Sequence, residues 1–198
     1  MLPERQELPP PPIFAPPPLP NDEPAPPVPA PRGEVLRWFG AIDAAATGSL
    51  GGSANAIGGE LAARWDFAPK LSLRLAGGLR SGSVTAADAD SLIFDAAAGL
   101  VWRAVRATTT SGFGVSVRAD ALAIQYRLSR ETSHATLWLP GADLALEGSF
   151  LFAERMALFA AVGGEVAFGA TDVFLHSEQV ATISPFRGLA DAGLRVHF

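Results

Sequence analysis

The 198-residue chain contains no cysteine and only one lysine, Lys70. The absence of cysteine excludes disulfide scaffolds, thiol nucleophiles and zinc sites built on thiolates. With a net charge of -5, the chain offers no basic face, and we expect no nucleic-acid partner. It also lacks an uninterrupted apolar run of about 18 residues, so the sequence contains no candidate transmembrane helix.

Proline is plentiful, but 14 of the 17 prolines lie in residues 3–31. So proline-rich a segment cannot supply the donors of a sheet ladder, and it adopts extended or disordered conformations. We therefore predict a proline-rich, extended or disordered tail over residues 1–33 and a folded domain over residues 34–198. The tail is either functional, as a spacer or as a ligand for a proline-binding partner, or a passive, solvated segment.

The rest of the chain alternates apolar residues with small or charged ones at period two, which is typical of β-strands. Four predicted connections are long and alternate with three shorter ones: the long ones are 47–54, 82–90, 127–141 and 169–185, and the shorter ones are 68–70, 105–111 and 154–155. This alternation predicts an all-β, eight-stranded antiparallel up-and-down barrel. None of the three remaining prolines falls inside a predicted strand. The strands are expected near 34–46, 55–67, 71–81, 91–104, 112–126, 142–153, 156–168 and 186–198.

The two faces of these strands differ sharply in charge. One face carries no charged residue, whereas the other alternates isolated charges with Ala, Gly and Ser, which suit a narrow barrel interior. We predict that the charged face lines the lumen as a network formed by Arg37, Asp43, Glu60, Arg64, Arg74, Arg80, Asp95, Arg103, Arg118, Asp120, Glu147, Glu165, Asp191 and Arg195, with Asp66 beside them.

Aromatic residues gather at the short-turn ends of the strands. This arrangement predicts an interfacial girdle, as in barrels that cross a bilayer with their apolar face towards lipid. A soluble carrier barrel, with the two faces reversed, is the alternative, and it would need no detergent. The girdle comprises Trp38, Trp65, Phe67, Trp102, Phe113, Phe152 and Phe198.

The fifth strand breaks the pattern. After Ala121 the apolar row moves to Leu122, Ile124, Tyr126 and Leu128, on the other face. We expect either a β-bulge there or the point at which the strand leaves the bilayer.

The lumen charges are also unevenly spaced along the strands. Counted from the short-turn ends, most arginines lie low and most carboxylates lie at mid-height, which predicts an arginine ring below an acidic belt. Buried charges must be paired, hydrated or neutralised, so the network is expected to plug the barrel. A narrow cation or proton channel is the alternative.

The ending Ala190-Asp191-Ala192-Gly193-Leu194-Arg195-Val196-His197-Phe198 alternates back from a terminal Phe. Together with residues 34–198 it resembles the small eight-stranded bacterial outer-membrane barrels of the OmpA transmembrane domain and OmpX type. The resemblance implies an integral outer-membrane protein in contact with the lipid bilayer and lipopolysaccharide. It also implies insertion by the outer-membrane assembly machinery, which reads the C-terminal strand.

The same resemblance implies turns and the N-terminal tail in the periplasm, loops facing outward, and a monomer with a structural, anchoring or surface-interaction role. No enzymatic activity is expected. A lipid-modifying hydrolase is the alternative, because the residue types of a Ser–His–acid triad occur in two loop segments. They are Glu131, Ser133 and His134, and His176, Ser177 and Glu178. We predict neither a metal site nor a cofactor.

Overall fold

The computed structural model describes residues 38–51, 54–84, 89–108, 111–130, 133–169, 172–175, 178–182 and 184–198. The predicted tail over residues 1–33 lies outside these residues, as does Arg37 of the lumen network. No helix that could cross a membrane occurs among the described residues.

Ten strands account for nearly all of the described residues. They are β1 (Gly40–Leu50), β2 (Ala54–Ala68), β3 (Leu71–Val84), β4 (Ala89–Val105), β5 (Phe113–Arg130), β6 (Ser133–Ala153), β7 (Met156–Ala167), β8 (Asp172–Leu175), β9 (Glu178–Thr182) and β10 (Phe186–His197). Eight of them close an antiparallel barrel in the order β1-β10-β7-β6-β5-β4-β3-β2, and β8 and β9 form a separate two-stranded sheet. The predicted all-β, eight-stranded barrel is confirmed.

The connections define two ends of the barrel. The turn end carries the short connections β2–β3, β4–β5 and β6–β7, and the loop end carries the others. Most strands run further towards the loop end than predicted. The largest difference is the predicted loop over 127–141, which is wrong because β5 and β6 continue as a hairpin with only residues 131–132 between them.

Pro140 lies inside β6, which contradicts the expectation that no proline interrupts a strand. Its position explains why the strand tolerates it. The Pro140 carbonyl accepts a hydrogen bond from Phe168 N at 2.7 Å, and the β6–β7 ladder begins only at Gly141. Since N and C=O of one strand residue point to the same side, the missing N–H faces the place where β7 ends.

The barrel closes between its first and last strands, with Asp43 paired to Arg195 in the β1–β10 ladder. Beyond the ladder, the Phe198 carbonyl accepts a hydrogen bond from Phe39 N at 2.8 Å. This contact continues the closure to the turn end.

Several glycines let neighbouring strands curve closely around the narrow interior. A Cβ built on Gly163 would lie 2.2 Å from the Leu144 carbonyl oxygen, and one on Gly58 would lie 1.8 Å from the Leu79 carbonyl oxygen. Real Cβ atoms do not approach a carbonyl so closely, so these positions require glycine.

The interior changes character along the barrel. Charged side chains fill the part nearer the turn end, whereas the part at the loop end is filled by a packed apolar cluster, here called the apolar cap. Its members are Ala56, Val84, Ala89, Ile93, Ala97, Leu122, Ile124, Tyr126, Leu128, Leu139 and Ala167. The cap closes the loop end with side chains that carry no charge.

The apolar cap also explains why the fifth strand breaks the predicted pattern of faces. β5 pairs with β4 and β6 with no register shift between Asp120 and Leu128, so the alternative of a β-bulge is wrong. Leu122, Ile124, Tyr126 and Leu128 continue the inward row of Arg118 and Asp120, and all six side chains are buried. The inward row turns from charged to apolar, while the outward row turns from Ala119, Ala121 and Ala123 to Gln125, Arg127 and Ser129.

Candidate functional site: the charged interior and the lipid-facing wall

The site consists of the barrel interior below the apolar cap. Seven arginines and nine carboxylates project into it from the barrel strands, because alternate residues of a strand face the same side. They are Arg64, Arg74, Arg80, Arg103, Arg118, Arg187 and Arg195, and Asp43, Glu60, Asp66, Asp95, Asp120, Asp143, Glu147, Glu165 and Asp191.

Nearest the turn end, Arg103 forms an ion pair with Asp66. Ser72 joins the two residues: its Oγ donates to Asp66 Oδ1 at 2.8 Å and accepts from Arg103 Nη2 at 2.6 Å. The Arg103 and Asp66 side chains are only partly buried, since they lie close to the turn-end opening of the lumen, whereas Ser72 is fully buried.

Above them lies a closed ring of four alternating charges, here called the Glu147 ring. Arg64 donates from Nε to Asp43 Oδ2 at 2.7 Å and from Nη2 to Glu147 Oε2 at 2.5 Å. Arg195 donates from Nε to Asp43 Oδ1 at 2.7 Å, and its Nη2 lies 2.8 Å from Glu147 Oε1. Ser116 Oγ donates to Glu147 Oε1 at 3.1 Å. Each carboxylate therefore bridges two guanidinium groups, and each arginine bridges two carboxylates.

The next layer is richer in carboxylates. Arg74 forms ion pairs with both Glu60 and Asp120, and Arg118 Nη2 donates to Asp191 Oδ2 at 2.5 Å. Asp143 lies 3.7 Å from Arg118 Nε and stands directly opposite Asp120 in the β5–β6 ladder. Two arginines thus serve four carboxylates in this layer.

The last layer lies beneath the apolar cap. Arg80 Nη2 donates to Glu165 Oε2 at 2.8 Å and to Asp95 Oδ1 at 3.2 Å, while Arg187 Nη2 donates to Glu165 Oε1 at 2.6 Å. The Arg187 guanidinium also lies 5.0 Å from the centre of the Tyr126 ring. This cation–π contact joins the charged interior to the cap.

Every described member of the predicted lumen network contributes an ion pair to these layers. The predicted separation into an arginine ring and an acidic belt is wrong, because arginine side chains reach along the lumen and mix with the carboxylates. Asp143 and Arg187 were missed, although both share the strand parity of predicted members, Asp143 with Glu147 and Arg187 with Asp191. Parity alone would have found them.

The outer wall of the barrel is apolar, whereas the interior is charged. Leucine, valine and aromatic side chains project from it, and Leu61, for example, is 66% exposed. Six of the seven predicted girdle residues, from Trp65 to Phe198, are at least 47% exposed at the turn end. Trp38 is the exception, because it is half-buried and stacks on His197 with ring centroids 4.0 Å apart. Phe39, which is 84% exposed, projects outward beside it.

A second aromatic level lies at the loop end, where the sequence-based prediction placed none. Trp138, Phe168 and Phe186 are exposed there, and Phe94 lies half-buried on the same outward side. Phe94 and Trp138 both stand opposite Gln125 in adjacent ladders. Two aromatic levels with an apolar band between them are the surface that a membrane-spanning barrel presents to a bilayer and its two interfaces.

No family model matches the sequence, and no curated protein matches it. Among solved structures, Neisserial surface protein A (NspA) is 17% identical with a TM-score of 0.59, covering 80% of this chain and 96% of its own. A major outer membrane protein from Thermus thermophilus is 12% identical with a TM-score of 0.57, covering 79% of this chain and 99% of its own.

OprG from Pseudomonas aeruginosa is 11% identical with a TM-score of 0.52, covering 82% of this chain and 97% of its own. The chain has the fold of the small outer-membrane β-barrels.

The two candidate Ser–His–acid sets lie largely outside the described residues. Glu131, His176 and Ser177 are not described, and the side chains of Ser133, His134 and Glu178 are not described either. The backbone places Ser133 and His134 in β6 rather than in a loop.

The outward apolar face gives a direct test of which side meets lipid. Replacing Leu61 by arginine puts a charge on the wall of β2, and we expect it to lower the free energy of unfolding by about 2–4 kcal/mol if Leu61 lies near the bilayer midplane. Ser83→Arg, on the outward face of the neighbouring strand β3 but beyond the apolar band, is the control and should cost less than about 1 kcal/mol. Urea unfolding in phospholipid vesicles measures both, and equal costs would contradict lipid contact at Leu61.

Proposed function

We propose that the protein is an integral outer-membrane protein with a sealed, non-conducting barrel and a structural, anchoring or surface-interaction role. In this orientation the turn end and the N-terminal tail face the periplasm, and the β5–β6 hairpin faces outward. The proposal includes no enzymatic step.

The inversion of polarity at the loop end is the observation that carries the proposal. Between the aromatic levels the wall is apolar and the interior charged, whereas on β5 beyond the outer level the inward row is apolar and the outward row polar. The first arrangement suits lipid and the second suits water, so one barrel contains both a bilayer-spanning part and a part that projects from it. A transmembrane β-strand needs about 9–11 residues to cross the bilayer, whereas β5 has 18 residues and β6 has 21.

The apolar cap and the ion-paired layers together support a closed lumen. An ion crossing the barrel would have to displace arginines held by carboxylates and then enter a cap with no charged lining. Both steps remove the ion from water without supplying a replacement shell. The barrel is therefore proposed to work through its surface rather than through its interior.

Two measurements test the proposal together. The detergent-extracted protein should migrate faster in gels before boiling than after it, because a closed barrel resists unfolding by the detergent. In planar bilayers the same preparation should show no steady single-channel conductance at neutral pH. Steady single-channel conductance of the unmodified protein would contradict the sealed lumen and support a channel, and solubility without detergent would contradict membrane residence.

A further inference from the structure

The outward face of β5 carries one arginine at the level where the wall turns polar. Arg127 is exposed, and its guanidinium lies 5.2 Å from the centre of the Phe94 ring on β4. Among the described strand residues whose side chains are placed, it is the one cation on the outward wall, since the other strand arginines project into the lumen. No carboxylate among the described residues forms an ion pair with it.

The neighbours of Arg127 place it at the boundary between the apolar band and the polar part of the wall. Arg127 stands opposite Leu92 on β4 and Thr136 on β6, and Gln125, two residues along the same face, stands opposite Phe94 and Trp138. These side chains share the outward side because their strand parity is the same. Aromatic rings and an unpaired guanidinium thus meet at one height on the wall.

The height matches the headgroup layer. Ala123 is the last small apolar residue of the outward row, and Arg127 lies four residues further, about 13 Å along the strand. With a strand tilt of about 40°, this is about 10 Å along the membrane normal, which is beyond the hydrocarbon core and within reach of lipid headgroups.

We propose that Arg127 binds a phosphate group of lipid A in the outer leaflet, with Phe94 holding the guanidinium plane and Trp138 packing against the lipid. This inference rests on the proposed outer-membrane location. The arginine fork donates two parallel hydrogen bonds to phosphate oxygens, which lysine cannot do. Asp90 is exposed on the same face and stands opposite Ser129, so its charge opposes phosphate binding without pairing with Arg127.

The test titrates the full-length protein in a neutral detergent with bisphosphorylated lipid A and follows Trp138 fluorescence. The Trp138 signal is obtained by subtracting the fluorescence of a Trp138→Phe variant from that of the unmodified protein. The other three tryptophans, which remain in the variant, lie near the turn end. We expect saturable binding. The Arg127→Gln variant should bind about tenfold more weakly, or weaker still, because it loses a pair of charge-assisted hydrogen bonds. Arg155→Gln, in the exposed β6–β7 turn, is the matched control and should leave the affinity unchanged.

Three further arms identify the ligand chemistry. Dephosphorylated lipid A should bind the unmodified protein as weakly as the phosphorylated lipid binds the Arg127→Gln variant. Asp90→Asn should tighten binding by about twofold, since a weakly screened like charge is removed. Inorganic phosphate should give no response at the same concentrations. Equal lipid affinity for Arg127→Gln and the unmodified protein, or equal binding of inorganic phosphate, would overturn the proposal. The requirement for detergent during extraction, together with the gel shift on boiling, separates this failure from a failure of the membrane location.

Discussion

Replacing Glu147 by glutamine is expected to lower the free energy of unfolding by about 3–5 kcal/mol. The change leaves the shape of the side chain almost unaltered, but it removes the one charge that neutralises both Arg64 and Arg195 on this side of the ring. Two buried guanidinium groups would then share Asp43 alone. Unfolding by urea, followed by tryptophan fluorescence in detergent micelles or vesicles, measures the loss.

The control for this prediction is Glu154→Gln in the exposed turn between β6 and β7, which should change stability by less than about 0.5 kcal/mol. A loss at Glu147 no greater than at Glu154 would show that the ring does not stabilise the barrel. A double variant, Glu147→Gln with Arg195→Gln, should recover part of the loss, because it removes one of the two uncompensated charges.

Replacing Gly163 by alanine is expected to reduce barrel stability by about 3 kcal/mol, because the new methyl would strike the Leu144 carbonyl of β6 at 2.2 Å. The ladder can relieve this contact only by separating β6 from β7. This separation would also displace Glu165, two residues along β7, from the layer beneath the cap. The folded fraction, read as the gel shift on boiling, should fall accordingly.

Gly148→Ala is the matched variant on the other side of the same strand pair. A Cβ at Gly148 meets no atom within 4 Å, so the substitution should be neutral or slightly stabilising. If Gly163→Ala folded as well as Gly148→Ala, the close approach of β6 and β7 would not be required for closure.

Much of the barrel could be predicted from period-two patterning. Residues such as Arg64 and Trp65 alternate so regularly that strand, inward face and outward face follow together. The partners of the charges could not be predicted, because an arginine stem spans several ångströms and its strand position does not determine which carboxylate it reaches. Arg64 and Glu147, for example, come from strands that are not neighbours in the barrel.

The loop end was the part that patterning described least well. From Ala121 onwards β5 keeps its period but exchanges the polarity of its two faces, which has the same appearance in sequence as a one-residue slip. Pro140 reinforced the expectation of a loop, since a proline normally excludes a strand. The register of the β4–β5 and β5–β6 ladders, which sequence periodicity does not encode, distinguishes an inverted strand from a bulged one.

The inverted part of β5 and β6 also determines how the outer surface would meet a binding partner. Because the apolar cap packs against the inward side of β5 up to Leu128 and of β6 at Leu139, this stretch of the hairpin is held from within before any partner meets its outward side. A partner that binds the outward side of this stretch would therefore lose little binding free energy to the ordering of this protein. In the proposed orientation, the packed hairpin would hold that side at a constant distance from the membrane.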